Sequence, residues 1–143
     1  MILTPNLKSL STRGRLNLLL DTHILMWSLT HVSRLPAACR EALVSPENEV
    51  WVSSISVWEI RIKAKLGKAD AHEGLRSAII SQDMKVLPFT LDHADAVSHI
   101  PLYHRDPFDR ALLAQAMTEK LRFVTADREI QRYAGLVDLM MVI

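Results

Sequence analysis

The chain has 143 residues and a mass of 16.2 kDa, the size of one domain with room for a full hydrophobic core. A hydrophobic fraction of 49%, a charged fraction of 23% and a net charge of +1 fit an ordinary globular protein, and this balance does not by itself mark a nucleic-acid partner. The single cysteine, Cys39, excludes an intrachain disulfide; no apolar run approaches the roughly 20 residues that span a bilayer, and no secretory leader is recognisable, so a cytoplasmic location is expected.

Residues 1–15 carry Pro5 and scattered polar groups without periodicity, and read as a loose extension ahead of a domain over 16–143. Residues 16–20, an apolar run broken only by Asn17, predict a buried strand that ends at Asp21. A helix over 22–29 follows, with Ile24, Leu25 and Trp27 to bury, then one over 35–44 with Pro36 near its first turn. The Val- and Trp-rich residues 49–53 predict a second strand. Ser53 or Ser54 can cap a helix over 55–66 that Gly67 ends. A helix over 71–82, a short strand over 85–87 and a helix over 91–99 capped by Thr90 come next. Asp106-Pro107 opens the strongest helix, 107–120, rich in formers such as Ala111, Leu112 and Gln115. A strand over 122–125, a short helix over 127–133 and a strand over 139–142 complete the chain. Strands alternating with helices imply an α/β fold with a parallel sheet covered on both faces.

Four carboxylates lie just past these strands or near helix starts: Asp21, Glu59, Asp109 and Asp127. In a parallel sheet such positions line one crevice beyond the carboxyl ends of the strands, where ligands bind. Each acid has a plainer explanation to overcome. Asp21 and Asp127 can be simple N-caps. Asp106 is the better cap of the long helix, because Pro107 then takes the first helical position, and this leaves Asp109 free in the first turn. Glu59 shares a helical stripe with Ile55, Ile62 and Leu66 and so faces inward. Burying even a lesser polar group unpaired costs about 2–7 kcal/mol, so a metal or another cation must meet it. That reading is preferred here to an exposed Glu59–Lys63 pair at i, i+4.

Four acids in one crevice repel one another unless protonated or neutralised by hard cations, and Mg²⁺ or Mn²⁺ accepts carboxylate oxygens. Such ions activate water and steady the leaving oxygen in phosphodiester cleavage, so the residues point to a metal-dependent nuclease. The Thr125 hydroxyl could orient a carboxylate or a bound water. Lys63, Lys65 and Lys68, with Arg61, crowd one segment, while Arg105 and Arg110, with His104, surround the third acid. Positive groups beside an acidic pocket suit RNA phosphates, and Lys63, Lys65, Lys68, Arg105 and Arg110 are the candidate contacts. No Gly-rich phosphate loop, paired zinc spacing or nucleophile elbow is present.

Leu-Leu-Leu-Asp-Thr-His, Ser-Val-Trp-Glu-Ile, His-Arg-Asp-Pro-Phe-Asp-Arg-Ala-Leu-Leu-Ala-Gln-Ala and Val-Thr-Ala-Asp together resemble a PIN domain, most of all the VapC-type toxins of bacterial toxin–antitoxin pairs. The resemblance implies a three-layer α/β/α sandwich around a parallel sheet. It makes Asp21, Glu59, Asp109 and Asp127 an acidic quartet and Thr125 the accompanying hydroxyl. It also implies a Mg²⁺- or Mn²⁺-dependent endoribonuclease, usually a homodimer, held inactive by a cognate antitoxin whose tail fills the groove. Of Trp27, Trp51 and Trp58, Trp27 is expected to be the most open to a partner. The competing readings are a PIN-like module that binds RNA or protein without cleaving, and a phosphotransfer domain using Asp21. His23 weighs against the latter, since it stands where a second aspartate is required.

Overall fold

A strand apolar on both faces belongs in the middle of a covered parallel sheet, and beyond its first residue β1 (Asn17–Leu20) is all leucine. The computed structural model, which describes residues 15–68 and 72–142, places β1 at the centre. With β2 (Glu49–Ser53), β3 (Lys85–Leu87), β4 (Arg122–Thr125) and β5 (Leu139–Met141) it forms a five-stranded sheet in the order β3-β2-β1-β4-β5, every neighbour parallel.

The two-residue period of β1 divides the core. Leu18 and Leu20 join Val50, Val52, Val124 and Met140 on one face of the sheet. That face is covered by α1 (Thr22–Thr30), α2 (Ala37–Val44), α3 (Ser54–Lys65) and α4 (Leu75–Ser81). Leu19 and Phe123 face the other way, beneath α6 (Pro107–Glu119) and the 3₁₀ segment Arg128–Tyr133, with α5 (Leu91–Ala96) packed beside α6. The three-layer α/β/α sandwich expected from the sequence is the fold. No helix among the described residues is long and apolar enough to cross a membrane.

The departures are local. α4 starts at Leu75, because His72 adopts a positive φ of 42° and Gly74 is the cap; Ala71, where the helix was expected to begin, lies outside the described residues. The helix expected over 91–99 tightens to 3₁₀ at Val97–His99, just before Pro101, and the one expected over 127–133 is 3₁₀ throughout. Residues 1–14 of the expected extension also lie outside the described residues, whereas Arg15 reaches Glu49 at 3.0 Å at the foot of the sheet.

One buried polar network fixes the end of β2 to α6. Gln115, fully buried in α6, accepts from Ser53 Oγ at 2.5 Å and donates its amide to the Pro88 carbonyl at 3.3 Å. Ser53 Oγ accepts the Ile55 N–H at 2.9 Å and so caps α3. His93 closes the set: Nδ1 accepts the Thr90 N–H at 3.0 Å, and Nε2 lies 2.8 Å from Glu119. Gln115→Ala would leave the Ser53 hydroxyl without its acceptor and is expected to lower unfolding stability by about 1–3 kcal/mol. Urea denaturation followed by circular dichroism measures this, and an unchanged midpoint would show the network to be dispensable.

Candidate active site

From β1 the chain winds outward through β2 and β3, then crosses back to β4 on the other side of β1. The topological switch point, where open α/β sheets bind ligands, therefore lies beyond the ends of β1 and β4. Leu20 is in register with Val124, so Asp21 and Thr125 follow side by side. Thr125 Oγ1 donates to Asp21 Oδ2 at 2.5 Å, and Asp21 Oδ1 accepts the Thr22 N–H at 2.7 Å as the cap of α1. Thr125 Oγ1 also accepts the Asp127 N–H at 3.1 Å. Asp127 Oδ1 caps Glu129, and its Oδ2 lies 3.3 Å from His104 Nε2.

The other two acids arrive on helices. Asp106 caps α6, accepting from Phe108 and Asp109 at 2.8 and 3.3 Å with Pro107 at the first helical position, as the sequence predicts. Asp109 is thereby released, and its Oδ2 lies 2.7 Å from His104 Nε2. Glu59 is 3% exposed on α3, inward-facing as expected. Its cation, however, is Lys63: Oε2 meets Nζ at 2.6 Å, while Oε1 accepts from Thr22 Oγ1 at 2.8 Å. The i, i+4 pair set aside on sequence grounds is present, because the lysine stem lets Nζ reach inward while part of the side chain stays in solvent.

Burial pushes the Asp21 carboxyl upward against hydrogen bonds from Thr125 and Thr22 that pull it down. Asp109 is raised to about 7, first by burial and then by the charges of Asp21 and Asp106, with His104 opposing. The hydrogen bond to Glu59 holds the Lys63 ammonium above its ordinary value.

His104 is the member that sequence reading missed, having been taken only as a positive neighbour. Its one signal was position, two residues before the cap Asp106 in the loop that enters α6. His104, Asp109 and Asp127 bring donor atoms within 4.8 Å of one another. Donor atoms around an octahedral ion at about 2.1 Å stand about 3 Å apart, and the 2.7 and 3.3 Å separations from His104 Nε2 bracket that value. Together with the charge crowding on Asp109, this donor set fits a divalent cation.

The basic residues divide. Lys65, Lys68 and Arg105 are exposed, while Lys63 is engaged with Glu59. Arg110 donates to the carbonyls of Pro101 and Ile100, both at 2.9 Å, and to that of Val97 at 3.4 Å. Its guanidinium thus forks into the loop ahead of α6 and braces it. The open tryptophan is Trp58, at 56% exposure and edge-on to Phe108 at 5.2 Å. Trp27 is half-buried against the core beside Arg34, which corrects the expectation placed on it.

An acid whose pKa is higher folded than unfolded binds its proton more tightly when folded, so stability falls as pH rises through that interval. For Asp109 the interval runs from 3.8 to about 7. In EDTA the protein is expected to unfold at lower urea as pH rises from about 5 to about 7.5, and Asp109→Asn should flatten that decline. Identical pH profiles for the two proteins would contradict the assignment.

The PIN domain family matches residues 18–136. Among solved structures, VapBC2 of Rickettsia felis, bound to a DNA fragment from its promoter, is similar with a TM-score of 0.67 and 17% identity, over 90% of this chain and 100% of that chain. FitAcB from Neisseria gonorrhoeae gives 0.64 and 24%, over 86% and 96% of the two chains. DNA-bound VapBC from Salmonella typhimurium gives 0.63 and 22%, over 88% and 98%. At these identities the likenesses show a shared fold, and no curated protein sequence matches. With the family match spanning most of its length, the chain belongs to the PIN domain family.

Proposed function

We propose that this protein is a VapC-type toxin, an endoribonuclease that cleaves RNA with Mg²⁺ or Mn²⁺. The observation that carries the reading is the crowding at the switch point: Asp21 and Glu59 are buried there, and both their charges press on Asp109. Asp21, Asp109 and Asp127 would hold the cation, with Glu59 adding negative charge from behind. When bound, such a cation lowers the pKa of water and neutralises charge building on the phosphate.

The protein's own residues do the positioning. Thr125 fixes Asp21 through Oδ2, and Thr22 and Lys63 fix Glu59, so neither carboxylate can swing away. Lys63, although paired, places its positive charge where Asp106 and Asp109 feel it, at the rim that a phosphate must cross. Exposed Lys65, Lys68 and Arg105 supply long-range attraction for the RNA backbone. Arg110 acts indirectly, through the loop that carries His104 and Arg105.

The similar solved structures are described as VapBC and FitAcB, which supports a cognate antitoxin for this chain as well. Exposed Trp58, Ile80 and Val86 line an apolar groove between α3, α4 and the edge strand β3, a surface we assign to protein partners, whether antitoxin or a second copy in a homodimer. The setting we infer is the cytoplasm, where RNA and antitoxin are both at hand.

Purified protein is expected to cleave RNA with Mg²⁺ or Mn²⁺ and to stop in EDTA. Asp21→Asn should reduce cleavage by about 100-fold or more while folding normally, since it changes charge and hardly changes shape. Wild-type cleavage by that variant, or full activity in EDTA, would contradict the reading. Lys65→Ala and Lys68→Ala should each weaken RNA binding across sequences and flatten the salt dependence by about one unit; binding that ignores salt would exclude the phosphate contacts.

A further inference from the structure

We propose that His104 supplies a nitrogen ligand to the metal centre, so that the site takes Mn²⁺ in preference to Mg²⁺. The inference rests on the metal-dependent reading above and adds a residue that reading does not require.

His104 Nε2 is buried and makes no aligned hydrogen bond, although Asp109 Oδ2 and Asp127 Oδ2 lie only 2.7 and 3.3 Å away. Buried polar atoms in proteins almost always have a partner, and an exception calls for an explanation such as an ion. Here the ring nitrogen and two carboxylate oxygens converge on one region of space, each at ligand-to-ligand distance from the nitrogen.

The backbone beneath His104 is fixed from two sides. Its N–H donates to Tyr133 Oη at 2.9 Å, and Tyr133 Oη donates to the Pro101 carbonyl at 2.6 Å. Tyr133 is itself buried and lies 5.1 Å from the Tyr103 ring, which carries the Arg132 guanidinium at 4.7 Å. From the other side Arg110 grips Pro101 and Ile100. A loop that merely led into α6 would need no such bracing. A loop that presents a metal ligand does, because ligand sites depend on second contacts that hold the donor in place.

The chemistry of the donor then decides the ion. Mg²⁺ is hard, prefers oxygen and keeps its waters, whereas Mn²⁺, the first and weakest-binding member of the transition-metal order, loses water more easily and takes a nitrogen donor more readily than Mg²⁺ does. An imidazole in place of one water therefore strengthens Mn²⁺ binding and does little for Mg²⁺.

Pulsed electron paramagnetic resonance of the full chain loaded with Mn²⁺ tests this without any turnover. The wild type is expected to show coupling from a coordinated ¹⁴N, replaced by the ¹⁵N pattern when histidine is isotopically labelled. His104→Gln should abolish the coupling and weaken Mn²⁺ binding about tenfold, with Mg²⁺ binding, measured by competition, changing less than about twofold. Mn²⁺ bound by the wild type without nitrogen coupling would overturn the role of His104 and leave the carboxylate reading standing. An equal loss of Mg²⁺ and Mn²⁺ in the variant would overturn the selectivity, and a wild type that binds neither ion would overturn both readings. The wild-type spectrum decides the ligand question even if the variant folds poorly.

Discussion

Carboxylates taken out of water beside one another are the constraint around which this molecule is arranged. Asp21 and Glu59 are almost fully buried, and burial of Asp109 together with their charges and that of Asp106 raises it to about 7. Left alone, such a group would protonate or unfold its surroundings. The fold answers with short polar contacts from neighbouring residues: Thr125 and the Thr22 N–H on Asp21, the Thr22 hydroxyl and Lys63 on Glu59. Lys63 offsets the charge of Glu59, whereas the hydrogen bonds on Asp21 hold its charge in place without cancelling it. The remaining demand for positive charge is the physical basis for a metal site.

The acids form two ranks. Asp21 and Glu59 lie at the back with every carboxylate oxygen already bonded within the protein. Asp109 and Asp127 stand forward, less buried, each directing one oxygen towards His104. Glu59 adds to the electrostatic potential, Asp21 keeps a second lone pair on each oxygen for a cation, and the front pair offers the more open donors. The switch point between β1 and β4 makes the division possible, because it aligns Asp21 with Thr125 in register while α3 and α6 deliver the other acids from opposite layers.

The acids and their strand-end placement were legible in the sequence because local rules govern them. Leucine runs mark buried strands, and Asp-Pro marks a helix start, so the caps at Asp21 and Asp106 and the freedom of Asp109 follow from chain order alone. What escaped depends on contacts between distant segments. The pairing of Lys63 with a buried Glu59 requires knowing how far a lysine stem can reach inward at that place on α3. The bracing role of Arg110 depends on the path of the 97–101 loop. His104 gains its position from Tyr133, 29 residues later in the chain. Trp58 and Trp27 look alike as letters, and only the packing of α1 against the sheet and of α3 at the edge separates the half-buried ring from the open one.

The central claim is that the crevice beyond β1 and β4 is a divalent metal site formed by these acids. Anomalous scattering from crystals grown with Mn²⁺ and measured near the manganese absorption edge addresses it most directly. The account predicts a strong peak enclosed by Asp21, Asp109 and Asp127. Peaks confined to exposed carboxylates such as Glu47 and Asp92, with none in the crevice, would contradict it.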